Sequence, residues 1–150
     1  MFLRLFILFN LFVTVLLSQN YVLKQYSVAE GLPQSQVYDI IEDHNGQIWL
    51  ATRGGGLARF NGRDFKVFST DDGLVNNFIS SLYQDDRKNI WIGTSNGISQ
   101  YNGIKFRNYL LEGSNFSVTV SSIAERKHTL FLGTSNGLYK RVGKEFVNVS

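Results

Sequence analysis

From about residue 31 onward, apolar residues come in short runs, often alternating with polar ones, and each run ends in Gly, Asn or Asp. Val37-Tyr38-Asp39-Ile40-Ile41 and Gln47-Ile48-Trp49-Leu50-Ala51 are rich in β-branched and aromatic residues. Such runs read as strands, and nothing beyond the first eighteen residues sustains an amphipathic helical pattern over three turns. The pattern predicts four strands in the first stretch: Val37–Asp43, Gln47–Thr52, Gly56–Phe60 and Asp64–Ser69. They are joined by His44-Asn45-Gly46, Arg53-Gly54-Gly55 and Asn61-Gly62-Arg63. Asn61-Gly62 and Asn102-Gly103 are the dipeptides of tight hairpins, whose central residues need positive φ.

The same stretch is written three times. Gly31 to Phe68, Gly73 to Tyr109 and Val120 to Val149 align almost without gaps. Gly31 and Gly73 lie 42 apart, as do Trp49 and Trp91, whereas Gly97 and Gly137 lie 40 apart. Agreement runs through Trp49/Trp91/Phe131, Thr52/Thr94/Thr134, Gly62/Gly103/Gly143 and Phe65/Phe106/Phe146. A period near 40 leaves helical repeats or propeller blades, and the strand pattern selects blades. The expected fold is therefore all-β: about three β-propeller blades, each a four-stranded antiparallel meander, forming an incomplete propeller. The blades fall at 31–69, 73–110 and 117–150. Tyr26-Ser27 lies 42 residues before Phe68-Ser69, so residues 20–27 match a fourth strand without its first three. Such a strand is a clasp that would complete the last blade of a ring and cover its open edge.

Residues 1–18, MFLRLFILFNLFVTVLLS, read as a signal helix: Arg4 precedes an apolar run from Leu5 to Leu17, and Ser18 is small enough for a cleavage site. The run is shorter than the roughly 20 residues that span a bilayer. A mature domain of 19–150 is then expected in the periplasm or outside the cell, with an uncleaved anchor as the alternative.

The signature D-x-x-G-x-I-W-[IL]-[AG]-T-x-x-G-[LI] runs from Asp43 to Leu57, after Gly31 to Ile40, and again from Asp85 to Ile98. It resembles the two-component regulator propeller repeat. The third copy departs from it, with Arg126 for the Asp and Phe131 for the Trp. The resemblance implies seven-bladed propellers in the extracytoplasmic half of bacterial sensor histidine kinases and hybrid two-component sensors, many of which respond to oligosaccharides. It implies a non-catalytic segment, with a membrane helix and kinase reached only through a downstream segment.

Composition narrows the chemistry. The chain has no Cys, so disulfides and thiolate metal sites are excluded. Its net charge of +3 is scattered over Lys24, Arg53, Arg63, Lys66, Arg87 and others, without the stripe that grips phosphates, so no nucleic-acid partner is expected. Gly54-Gly55-Gly56 opens a strand rather than a helix and is no phosphate cradle, so no cofactor is expected. Trp49, Trp91 and Phe131 recur as packing between blades must, and Thr52, Thr94 and Thr134 are expected to bond within each blade. Asp43 and Asp85 lack the further acidic ligands of a calcium loop and read as caps of hairpin turns, so no metal is assigned. His44 and His128 sit in first hairpin turns, and no Ser–His–acid set is arguable, so no catalytic residue is assigned.

Ligand contact belongs on the loops of one face, those entering the first strand and those joining the second to the third. Gln36, Arg53, Asn76, Asn77 and Asn115 are the candidates, and Arg53 departs from Ser95 and Ser135 at its position. The expected partners are an oligosaccharide or other extracellular ligand, and the remaining blades of the same protein or a homo-oligomer. A secreted or surface propeller for adhesion or assembly, and a propeller-fold lyase or glycosidase, remain the alternatives.

Overall fold

The computed structural model describes residues 23–111 and 117–150; the leader, residues 20–22 of the expected clasp and Asn115 lie outside them. Twelve strands are described, β1 (Val37–Glu42), β2 (Ile48–Thr52), β3 (Leu57–Phe60), β4 (Phe65–Phe68), β5 (Ile79–Gln84), β6 (Ile90–Thr94), β7 (Gly97–Tyr101), β8 (Phe106–Tyr109), β9 (Val120–Arg126), β10 (Thr129–Thr134), β11 (Gly137–Val142) and β12 (Glu145–Asn148). They form three separate four-stranded sheets in simple sequence order, β1–β4, β5–β8 and β9–β12, with every neighbouring pair antiparallel. These are propeller blades 1, 2 and 3. The first strands β1, β5 and β9 are neighbours across the blades and lie innermost.

Blade 1 strands are shorter than the pattern predicts, and turn chemistry explains each trimmed end. The N–H of Asp43 donates to the Gln47 carbonyl (2.8 Å), which draws both residues into the turn. Gly56 has φ +85°, outside the extended region. Asp64 donates its N–H to Asn61 Oδ1 (2.8 Å), and Ser69 caps a short 3₁₀ turn. Each first strand also carries a bulge near its start, between Val37 and Asp39, between Ile79 and Ser81, and opposite Gly133/Thr134. A bulge at the same register in three sheets sharpens the twist beside the loops that precede these strands.

The core sits between blades. Trp49, Ala51, Leu57 and Phe68 of blade 1 pack on Leu74, Ile79, Leu82, Ile90, Ile92 and Tyr101 of blade 2. Trp91, Ile98 and Tyr109 of blade 2 pack in the same way on Val120, Leu130, Leu132, Tyr139 and Phe146. Outer flanks keep the apolar character without a neighbour. Leu82 is 5% exposed, yet its repeat equivalent Ile40 is 59% exposed; Ile98 is fully buried, yet Leu138 is 42% exposed. The positions are apolar because stacking buries them, and blades 1 and 3 each present one such face.

Residues 23–27 form no strand, because no neighbouring strand lies beside them to share a ladder. Their contacts nevertheless repeat those of a fourth strand. The Tyr26 ring lies 4.8 Å from Phe60 and 5.8 Å from Phe65. Phe68 lies 5.5 Å from Tyr101 and 5.7 Å from Phe106. Ser27 and Ser69 both open a capping box onto a 3₁₀ turn that closes on Gly31 and Gly73, each at φ +101°. The chain thus approaches blade 1 as β4 leads into blade 2.

Candidate ligand-binding face

An Asp–Trp anchor inside blades 1 and 2 ties the first hairpin to a buried ring. Trp49 and Trp91 are buried, and each indole Nε1–H donates to a carboxylate six residues earlier, Asp43 Oδ2 or Asp85 Oδ2, at 2.8 Å. The other oxygen, Oδ1, accepts from the N–H groups of Asn45 and Gln47, and of Arg87 and Asn89. One carboxylate therefore closes the first hairpin and orients the aromatic ring. Burial pushes the Asp43 carboxyl up, but the Trp49 indole and the backbone N–H groups of Gln47 and Asn45 outweigh it and hold it below its ordinary value. In blade 3 both partners are gone together: Phe131 has no N–H to donate, and Arg126 leads into a two-residue turn. The spacing alone identified the turn cap; the indole bond was not foreseen. The joint loss of Asp and Trp in the third copy was its signal.

At the other end of each blade, threonines tie the loop between second and third strands. Thr52 Oγ1 donates to the Gly56 carbonyl (2.6 Å), Thr94 to Gly97 (2.9 Å) and Thr134 to Gly137 (2.7 Å). These loops meet the ones that precede the first strands. Arg53 N–H donates to Gln36 O, Ser95 to Phe78 O and Ser135 to Thr119 O. The same loops also cross the junctions between blades: Gly54 and Gly56 donate to Asn77 O, and Gly97 donates to Val118 O. Backbone hydrogen bonds in every unit thus join the two loop sets on one face.

Of the candidate ligand contacts, Gln36, Arg53, Asn76 and Asn77 gather at the junction of blades 1 and 2, and Asn115 lies outside the described residues. The Arg53 guanidinium reaches Gln36 Oε1 at 3.4 Å and is otherwise exposed. Asn76 and Asn77 serve local structure first: Asn76 Oδ1 accepts from Phe78 N (2.8 Å), and Asn77 Oδ1 accepts from Thr70 N (2.9 Å). Only their amino groups are left to face a ligand. Phe78 was missed by the sequence reading. It bridges to Arg53, is 53% exposed, and lies over Gly54, where an added Cβ would stand 3.3 Å from its ring. Its repeat equivalents are Gln36 and Thr119, so an aromatic ring replacing a polar residue was the available signal. The result is an exposed ring on the loop that bridges to Arg53, next to the amides of Asn76 and Asn77.

A family model for the two component regulator propeller matches residues 31–54 and 73–96, which hold both Asp–Trp anchors. Units 1 and 2 each contain a stretch that matches the two-component regulator propeller repeat. Over 51 residues, 34% of the chain, the sequence is 43% identical to histidine kinase P4 of Formosa agariphila, of which this match covers 4%. Among solved structures, the extracellular domain of the hybrid two-component system BT3049 from B. thetaiotaomicron is 27% identical, with a TM-score of 0.67 over 85% of this chain and 18% of that one. The extracellular domain of BT4673 from the same organism shares the fold at a TM-score of 0.75 and 22% identity, over 89% of this chain and 19% of that one. The chain thus spans less than a fifth of those domains. The described blades share their fold with the extracellular domains of BT3049 and BT4673. Among the described residues, no helix is long and apolar enough to cross a membrane.

Proposed function

We propose that these blades form part of an extracytoplasmic, non-catalytic sensor propeller in a two-component signalling protein. The leader at residues 1–18 would export it, and further blades of the same protein would cover the apolar flanks of blades 1 and 3. The ligand is a glycan or a similar extracellular molecule, held on the face built from Gln36, Arg53 and Phe78 with the amino groups of Asn76 and Asn77. The observation that carries this reading is Phe78: an exposed ring costs solubility, and here it lies between two interbonded loops beside the only Arg at its repeat position. Because Asn77 O is shared by Gly54 and Gly56 of the preceding blade, ligand held here would bear on the junction between blades. That contact is a route from binding to a change in propeller geometry.

Titration calorimetry of the full chain against a panel of soluble oligosaccharides tests the reading. Phe78→Ala and Arg53→Ala should each weaken a binding glycan by about 1–2 kcal/mol, or roughly 5- to 30-fold. Ser95→Ala, at the Arg53 position in blade 2, should change little. Glycan binding that ignores both substitutions, or release of reducing ends from any polysaccharide, would overturn it.

A further inference from the structure

The opposite face, where the first hairpins lie, carries a second cluster at the junction of blades 2 and 3. Asp86 follows the buried Asp85 in the blade 2 hairpin, Glu125 is the last but one residue of β9, and His128 sits in the blade 3 hairpin. One ligand atom from each lies within 4.8 Å of the others, and His128 Nδ1 contacts Asp86 Oδ2. They line a cavity of about 250 Å³ together with Asp85, Arg87 and Arg141.

The preceding junction shows what these positions do without such a cluster. There His44 and Gln84 occupy the places of Asp86 and Glu125, and they close the gap as a hydrogen-bonded pair: His44 backbone N–H to Gln84 Oε1 at 2.9 Å, and Gln84 Nε2 to the His44 ring at 3.0 Å. At the second junction, the backbone bond survives only weakly, Asp86 N–H to Glu125 Oε2 at 3.3 Å. Carboxylates stand in place of both side chains, and an imidazole has been added from the shortened Lys127-His128 turn. Two carboxylates facing each other repel unless a cation lies between them. Tyr83 O–H also donates to Glu125 Oε2 (3.3 Å), as an outer hydrogen bond orients a ligating carboxylate. An independent feature of the same cavity points to a bound group. Among the described residues, Arg141 Nε is buried without an acceptor, while its guanidinium lies 4.9 Å over the Trp91 ring. A buried unpaired donor is costly, and a water or small anion on a metal ion would supply its acceptor.

We propose that Asp86, Glu125 and His128 bind a divalent transition-metal ion of the zinc class, which staples blade 2 to blade 3. One imidazole and two carboxylates suit such an ion and leave a position open towards Arg141; calcium and magnesium favour all-oxygen sites. The chain has two histidines, so its imidazole ¹H–¹⁵N spectrum reports the site directly. On titrating the full chain with Zn²⁺, one equivalent should shift the His128 resonances and leave those of His44 in place. Calorimetry should show stoichiometric uptake that is lost in His128→Asn, weakened at least tenfold in Glu125→Gln and Asp86→Asn, and about tenfold in Tyr83→Phe. His44→Asn should bind as the parent does. Unmoved His128 resonances at several equivalents, or uptake that survives His128→Asn, would overturn the site. The wild-type spectrum decides the matter even if a variant fails to fold, and glycan binding has no part in either outcome.

Discussion

Replacing each blade tryptophan by phenylalanine isolates one oxygen atom. Among the described residues, Asp43 Oδ2 accepts only from Trp49 Nε1, whereas Asp85 Oδ2 also accepts from Asn89 Nδ2 at 2.8 Å. Trp49→Phe therefore leaves a buried carboxylate oxygen without a donor, and Trp91→Phe does not. The smaller ring costs roughly 1 kcal/mol at either site through lost contact and residual cavity. Loss of a hydrogen bond to a charged group adds about 1.5–3 kcal/mol at Trp49, and about half of that at Trp91, where Asn89 remains. Trp49→Phe should then destabilise by about 3 kcal/mol and exceed Trp91→Phe by about 1 kcal/mol. Urea unfolding followed by far-UV circular dichroism measures both, since each variant removes one of the two tryptophan fluorophores. The midpoints should fall with unchanged slope. Asp43→Asn combined with Trp49→Phe should cost less than the sum, with a coupling of about 1 kcal/mol or more. Equal losses at the two tryptophans, or a greater loss at Trp91, would refute the orphaned-oxygen argument.

Two further outcomes follow from the same blades. An added Cβ at Gly56 would stand in collision with the Phe68 carbonyl, at φ +85°, whereas at Gly62, φ +93°, it would meet nothing within 4 Å. Gly56→Ala should cost about 3 kcal/mol or prevent folding, and Gly62→Ala only about 1 kcal/mol, read as shifts in thermal midpoint. Because Asp43 is held below its ordinary value of 3.8, the stability it contributes is present above that value and is lost as pH falls through its lower folded value. Melting between about pH 5 and pH 2 should show this acid loss in the parent and a flatter profile in Asp43→Asn.

Much of this molecule is legible from spacing. Strand-length runs of Val, Ile, Trp and Tyr between Gly and Asn turns, repeated near every 41 residues, can fold only as units that bury their faces on one another. Trp49, Thr52 and their equivalents recur because each blade needs the same anchors, so the period exposes them. What recurrence cannot show is which different residues meet across a junction. Phe78 and Arg53 are 25 positions apart, and Asp86 and His128 are 42 apart; each pair meets only because neighbouring blades twist by a fixed amount and bring loops of successive units together. Local preference set the strands and turns, since those depend on residues a few places away. The proposed ligand face and the carboxylate–histidine cluster were decided by tertiary packing, because a contact between blades depends on the rotation from one sheet to the next, which no single repeat encodes.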